Sequence, residues 1–114
     1  MLTISFLINL GVLVSIVPAS LRDTDTMLAA YGPASPARGI VVAVFITVMA
    51  LCFVGLVTIA LGLPLAREIG LMILPAQVLY KGLTAVTVGT SNPVVRANLA
   101  IAAFHIVTWA TLFY

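Results

Sequence analysis

The sequence predicts an all-α integral membrane protein, a four-helix up-down bundle with a short interfacial helix in its first loop. Three observations carry that expectation. Charged residues make up 7% of the 114-residue chain, five basic and three acidic, where soluble domains carry about 25%. Hydrophobic residues make up 63%, and the mean hydropathy is +1.29. The run from Gly39 to Leu63, GIVVAVFITVMALCFVGLVTIALGL, holds no charge. It exceeds the roughly 20 apolar residues that cross a bilayer core, and a helix apolar on every side must be buried on every side. The chain, 1–114, reads as a single transmembrane domain with spans at about 2–17, 36–61, 65–88 and 93–114.

The first span is Leu2 to Val17. No Lys or Arg precedes it, and Pro18-Ala19-Ser20 matches a cleavage site only loosely, so it reads as a retained helix rather than a signal peptide. Pro18 is expected to end it, because proline cannot continue the hydrogen-bond ladder. A helix of that length reaches about 24 Å, enough to cross only if it stands nearly upright or ends among the headgroups. The connection from Ala19 to Ser35 holds Arg22, Asp23 and Asp25. Either aspartate can cap a short helix that Gly32 stops in the left-handed conformation. Met27, Leu28 and Tyr31 would share one face of it, as in a segment lying in the interface.

Ser35-Pro36 marks the second span, a serine N-cap before proline at the first helical position. This span reaches about 39 Å, so tilt or projection is expected. Gly62-Leu63-Pro64 breaks the chain within three residues and makes the second and third spans an antiparallel hairpin. The third span carries Arg67 and Glu68 at its start, Pro75 inside it and Lys81 two turns from its end. Pro75 removes the bond to the Leu71 carbonyl, so a kink is expected there. Asn92-Pro93 repeats the cap-and-proline start for the fourth span, which runs to Tyr114.

An even number of spans places both termini on one side. Arg22, Arg38, Arg96 and Lys81 flank loops 1 and 3, against Arg67 alone at loop 2, so the positive-inside rule puts loops 1 and 3 in the cytoplasm and the termini outside. Lys81, Arg38 and Arg96 are expected to reach lipid headgroups, Lys81 by snorkelling. Trp109, Phe113 and Tyr114 would form an aromatic belt at the opposite face.

Polar groups in hydrocarbon are costly and tend to face the bundle interior. By helical rise, Asn9, His105 and Gln77 lie at about 11, 14 and 18 Å from the terminal side, close enough for one polar layer. Asn98, His105 and Trp109 share a stripe on the fourth span, with Thr108 beside it, and Gln77, Lys81 and Thr84 share one on the third. One reading is a layer of interhelical hydrogen bonds, helped by small residues such as Gly55, Ala97, Ala100, Ala102 and Ala103. The other is a polar pocket between the first, third and fourth spans.

A neutral mid-membrane histidine can also ligate haem iron or chlorophyll magnesium. Bis-histidine haem would need its second ligand from a partner, since His105 is the sole histidine. Ala102-Ala103-Phe104-His105 followed by Trp109 is similar to the histidine-bearing spans of bacterial light-harvesting polypeptides, though Ile101 stands where those carry a small residue.

Other classes are excluded. No carboxylate lies in the interior of any span, so the chain lacks the first-helix glutamate of small-multidrug-resistance antiporters. There is no HExxH, paired-carboxylate site, Ser-His-Asp set or phosphate-cradling loop. A net charge of +2, scattered along the chain, does not suit nucleic acid. Cys52 is the only cysteine, so no internal disulfide forms, and a thiol so placed is expected to be an inert core residue.

Ile8-Asn9-Leu10 leading to Pro18, the segment ending Tyr31-Gly32, Arg38 opening the second span and a glycine/proline loop before the last span give an order of features that resembles the small four-helix bacterial membrane proteins grouped as DoxX-like. That resemblance implies a four-helix bundle and supplies no catalytic residues; Gln77 and Lys81 fall outside it. Residence in a bacterial inner membrane or an energy-transducing membrane is expected. The function expected is that of a non-catalytic accessory or scaffold subunit of a larger membrane complex, in contact with lipids and other integral membrane subunits. The alternatives are a subunit binding chlorophyll, haem or quinone through His105, and a small-molecule or ion carrier with its pocket around Gln77 and Lys81.

Overall fold

The computed structural model describes residues 1–22 and 24–113. Asp23 and Tyr114, expected as a helix cap and as part of the aromatic belt, lie outside the described residues. The elements are α1 (Leu2–Ser20), α2 (Asp25–Tyr31), α3 (Pro36–Ala60), α4 (Leu65–Thr87) and α5 (Pro93–Thr111). All but α2 are long and apolar enough to cross a membrane. The long axis of the molecule is 42 Å, close to the 40–45 Å of a bilayer with its headgroups.

Local chemistry explains the boundaries. Ser35 Oγ accepts from the Arg38 backbone N–H at 3.1 Å, and Asn92 Oδ1 accepts from that of Val94 at 2.8 Å, with proline following each cap. Gly62, at φ 69°, closes the turn between α3 and α4 in a conformation that a β-carbon would strain.

Two expectations are corrected. The cap of α2 is Thr24, whose hydroxyl accepts from the Met27 N–H at 3.2 Å, while Asp25 occupies the first turn. Helix α1 does not stop at Pro18 but runs through it to Ser20. Proline deletes only its own bond to the carbonyl one turn back, and the following residues resume the ladder. Ser20 Oγ donates to the Ile16 carbonyl at 2.7 Å within that last turn. The extra turn brings α1 to about 28 Å, an ordinary span length.

The spanning helices form a ring in which α1 packs on α3, α3 on α4, α4 on α5, and α5 on α1. Two ties fix the up-down order. Asn92 Nδ2 donates to the Ala30 carbonyl at 3.1 Å, joining loops 1 and 3 at one end. At the other end the Arg67 guanidinium donates to the Leu112 carbonyl at 2.9 and 3.2 Å. Arg67 and Glu68 also form an exposed pair at 3.7 Å. Asn92→Ala should remove both a cap and the inter-loop tie, lowering stability by about 1–2 kcal/mol in detergent unfolding.

Lipid is as apolar as leucine, so close packing and polar bonds hold such a bundle together rather than a hydrophobic drive between helices. Phe6 of α1 is fully buried with Cys52 and Ala66 beside it. Gly55 makes this possible: a β-carbon there would overlap the Phe6 ring. Gly70 plays the same part near the terminal end, where Leu2 and Leu112 fill the space a side chain would need. Met27 and Tyr31 of α2 face inward, Met27 buried and Tyr31 edge-on to Phe45 at 6.0 Å, whereas Leu28 stays exposed. Burial raises the Tyr31 phenol above its ordinary value.

Candidate functional site: a polar seam and a buried lysine

The expected single polar layer is divided into two clusters. The first joins α1 to α5. Ser5 and Asn9 lie one turn apart on α1, His105 and Thr108 about one turn apart on α5, and all four are buried. His105 Nε2 is 3.0 Å from Asn9 Oδ1 and Nδ1 is 3.2 Å from Ser5 Oγ, which is in turn 2.9 Å from Thr108 Oγ1. Asn9 Nδ2 faces Cys52 Sγ at 3.5 Å, bringing α3 into the chain of contacts.

The tautomer follows from these partners. With its amide donating to Cys52, Asn9 offers its oxygen to the ring, so Nε2 carries a proton and donates. In the neutral ring Nδ1 accepts from Ser5, whose oxygen accepts from Thr108. In the imidazolium Nδ1 donates to Ser5, which donates onward to Thr108. Rotating two hydroxyls completes the network in either state. Both ring nitrogens thus serve helix pairing, and a metal at His105 would have to displace one of those bonds.

Lys81 organises the second cluster. Snorkelling to the headgroups was expected of it; the structure instead buries Lys81, leaving 6% of it exposed. Its Nζ donates to Asn98 Oδ1 of α5 at 3.4 Å and lies 5.3 Å from the centre of the Tyr80 ring. The aromatic face and the amide oxygen offer the cation a nearer environment than the headgroups do. Gln77, one turn away, is also buried, and its Nε2 has no hydrogen-bond partner among the described residues. Asn9, Gln77, Tyr80 and Lys81 border a gap of about 10 Å³, roughly the space of one water. A cavity of about 270 Å³ opens beyond Asn98, lined by Tyr31, Phe45, Tyr80, Thr84 and Val95 among others. His105 and Asn9 therefore meet as the depth argument anticipates, Gln77 shares the small gap with Asn9 without bonding, and Asn98 belongs with Lys81.

The remaining expected residues separate. Arg38 was expected at the headgroups and is instead buried, its guanidinium donating to the carbonyls of Gly32 at 3.1 Å and Ser20 at 2.8 Å. Carbonyls at helix ends lack helical partners, so a planar fork of donors gathers α1, α2 and α3 at one point. Arg38→Ala should free loop 1 and raise its protease sensitivity several-fold, whereas a headgroup role would leave cleavage unchanged. Arg96 is exposed. Trp109 stacks edge-on with Phe113 at 5.0 Å, and its Nε1, buried, has no partner among the described residues. It lines a groove of about 230 Å³ with Pro75, Val78, Leu79 and Ile106. Among the described residues no three His, Cys, Asp or Glu side chains gather as a metal site.

Sequence reasoning missed Ser5 as a partner of His105. Its position one turn before Asn9 is the pattern that could have found it. The chain matches no protein-family model, no curated protein and no solved structure.

Proposed function

We propose that the protein is a non-catalytic integral membrane subunit that works by associating with other membrane subunits. The observation that supports this most is the outer face of α3. Gly39, Ala43, Thr47 and Ala50 recur at helical spacing and are all exposed. Thr47 Oγ1 turns back to the Ala43 carbonyl at 3.0 Å, so the face presents little polarity of its own. Small residues let a second helix approach closely, which is how spanning helices associate in lipid. The Ser5, Asn9, His105 and Thr108 side chains meanwhile bond to one another, consistent with a scaffold rather than a reaction centre.

Single-cysteine variants at Ala43 and Ala50, oxidised in native membranes, test this. Cross-linking to another polypeptide or to a second copy is the expected result, and its loss on introducing Thr47→Leu would locate the contact. Uniform absence of cross-links, with a native mass of one chain, would overturn the proposal.

A second reading, a small-molecule or ion carrier, is favoured by the burial of Lys81 and by its bond to Asn98, a residue that lines the larger cavity. Orientation with loops 1 and 3 in the cytoplasm belongs to the same proposal. Thiol labelling of Thr24→Cys from the cytoplasmic side and of Phe113→Cys from the other side would support it, and the reverse pattern would overturn it.

A further inference from the structure

We propose that the cavity between α2, α3, α4 and α5 binds a small anionic amphiphile, a medium-chain monocarboxylate, with its carboxylate at Lys81 and its alkyl tail in the cavity. This deepens the carrier reading by naming the ligand class, and it rests on the same pocket.

The charge balance is the first ground. The chain has three side-chain carboxylates: Asp23 and Asp25 in loop 1, and Glu68 in the first turn of α4, thirteen residues and about 20 Å of helix from Lys81. None of them is placed in the interior of a span. A cation withdrawn from water is costly unless it is paired and hydrogen-bonded. Lys81 has three N–H donors, and the contact to Asn98 at 3.4 Å is long for a charged donor.

Unused donors are the second ground. Gln77 Nε2, one turn along the same face, is buried without a partner among the described residues and borders the gap beside Lys81 rather than the cavity itself. Asn98 turns its oxygen to Lys81 and lines the larger cavity. An acceptor with two oxygens suits this surplus, and carboxylates bind such donors with short charge-assisted bonds.

The shape of the space selects the rest of the molecule. About 270 Å³ lies at the lower end of small-ligand sites, and most of its named walls are apolar or aromatic. Tyr80 and Phe45 border both this cavity and the gap beside Lys81, and Asn98 stands between the ammonium and the larger space. Lys81 lines the gap and not the cavity, so the carboxylate meets the ammonium by taking over its long bond to Asn98, the residue that Lys81 and the cavity share. The volume accommodates a single short alkyl tail.

Calorimetric titration of the full chain, in uncharged detergent, with sodium octanoate is the test, with methyl octanoate as the neutral control. Saturable single-site binding of octanoate alone is expected. Lys81→Gln should weaken it about tenfold or more, since a hydrogen bond to a charged group is lost. Val95→Trp, which fills the cavity, should abolish it, and Lys81→Arg should retain it. Absence of saturable octanoate binding by the wild-type protein would overturn the site. Equal binding of the methyl ester would overturn its anion preference, and neither outcome depends on a variant folding. Binding without octanoate flux in proteoliposomes would support the site while overturning the carrier reading.

Discussion

Replacing His105 with alanine is expected to destabilise the bundle by about 2–4 kcal/mol, the largest effect of any polar substitution in the chain. Two interhelical bonds disappear, each worth about 0.6 kcal/mol on average in membrane proteins and up to about 1.7. The imidazole is wholly buried, so its removal also leaves a void that neighbouring side chains close only in part. Asn9 Oδ1 would then be stranded between α1 and α5, away from water, while Ser5 Oγ would keep only Thr108. Unfolding in mixed micelles at increasing denaturing detergent measures the loss. His105→Gln, which keeps a donor and an acceptor, should recover part of it. A double-mutant cycle with Asn9→Leu should show coupling between the two positions, because the second change removes a group that the first has already orphaned. A loss below about 0.5 kcal/mol, the size of an ordinary surface change, would mean that the seam holds nothing together.

Gly55→Val is the second large effect. The place where the new side chain would begin is occupied by the ring of Phe6, itself fully buried against Cys52 and Ala66. Neither side can yield cheaply, since glycine sits within α3 and the ring within the core. Overpacking of this kind costs about 1–3 kcal/mol and here acts between α1 and α3, the pair that closes one side of the ring. Phe6→Leu in the same chain should restore much of the loss, although it weakens the wild type. The same unfolding measurement decides it: additive losses in the double variant would mean that the contact is not the cause.

The two effects mark what sequence alone makes legible in a membrane bundle. The spans are legible because hydrocarbon imposes length and apolarity, and proline, glycine and capping residues punctuate them at Ser35-Pro36, Gly62-Pro64 and Asn92-Pro93. Depth is legible too, since helical rise alone brought Asn9 and His105 to the same level. What rise cannot give is rotation. Whether Asn98 turns toward His105's cluster or toward α4 depends on how α5 packs, and the structure pairs it with Lys81.

Lysine and arginine were misread for one shared reason. A long basic side chain near a helix end can reach water or can reach a carbonyl, an amide or an aromatic face, and composition does not separate these. Arg38 found the carbonyls of Ser20 and Gly32, and Lys81 found Asn98 and Tyr80. Pro18 shows the converse. A proline was read as a terminator, yet the residues after it needed only their own N–H groups to finish the turn.

The central claim is that the polar side chains of α1 and α5 bind each other rather than a prosthetic group. An absorption spectrum of the natively purified protein, from the near ultraviolet to the near infrared, with solvent extraction for quinone, tests it most directly. Protein absorbance alone and no extracted quinone are expected, because both nitrogens of His105 already have partners in Asn9 and Ser5. A Soret or chlorin band in the wild type that is lost in His105→Ala would contradict it.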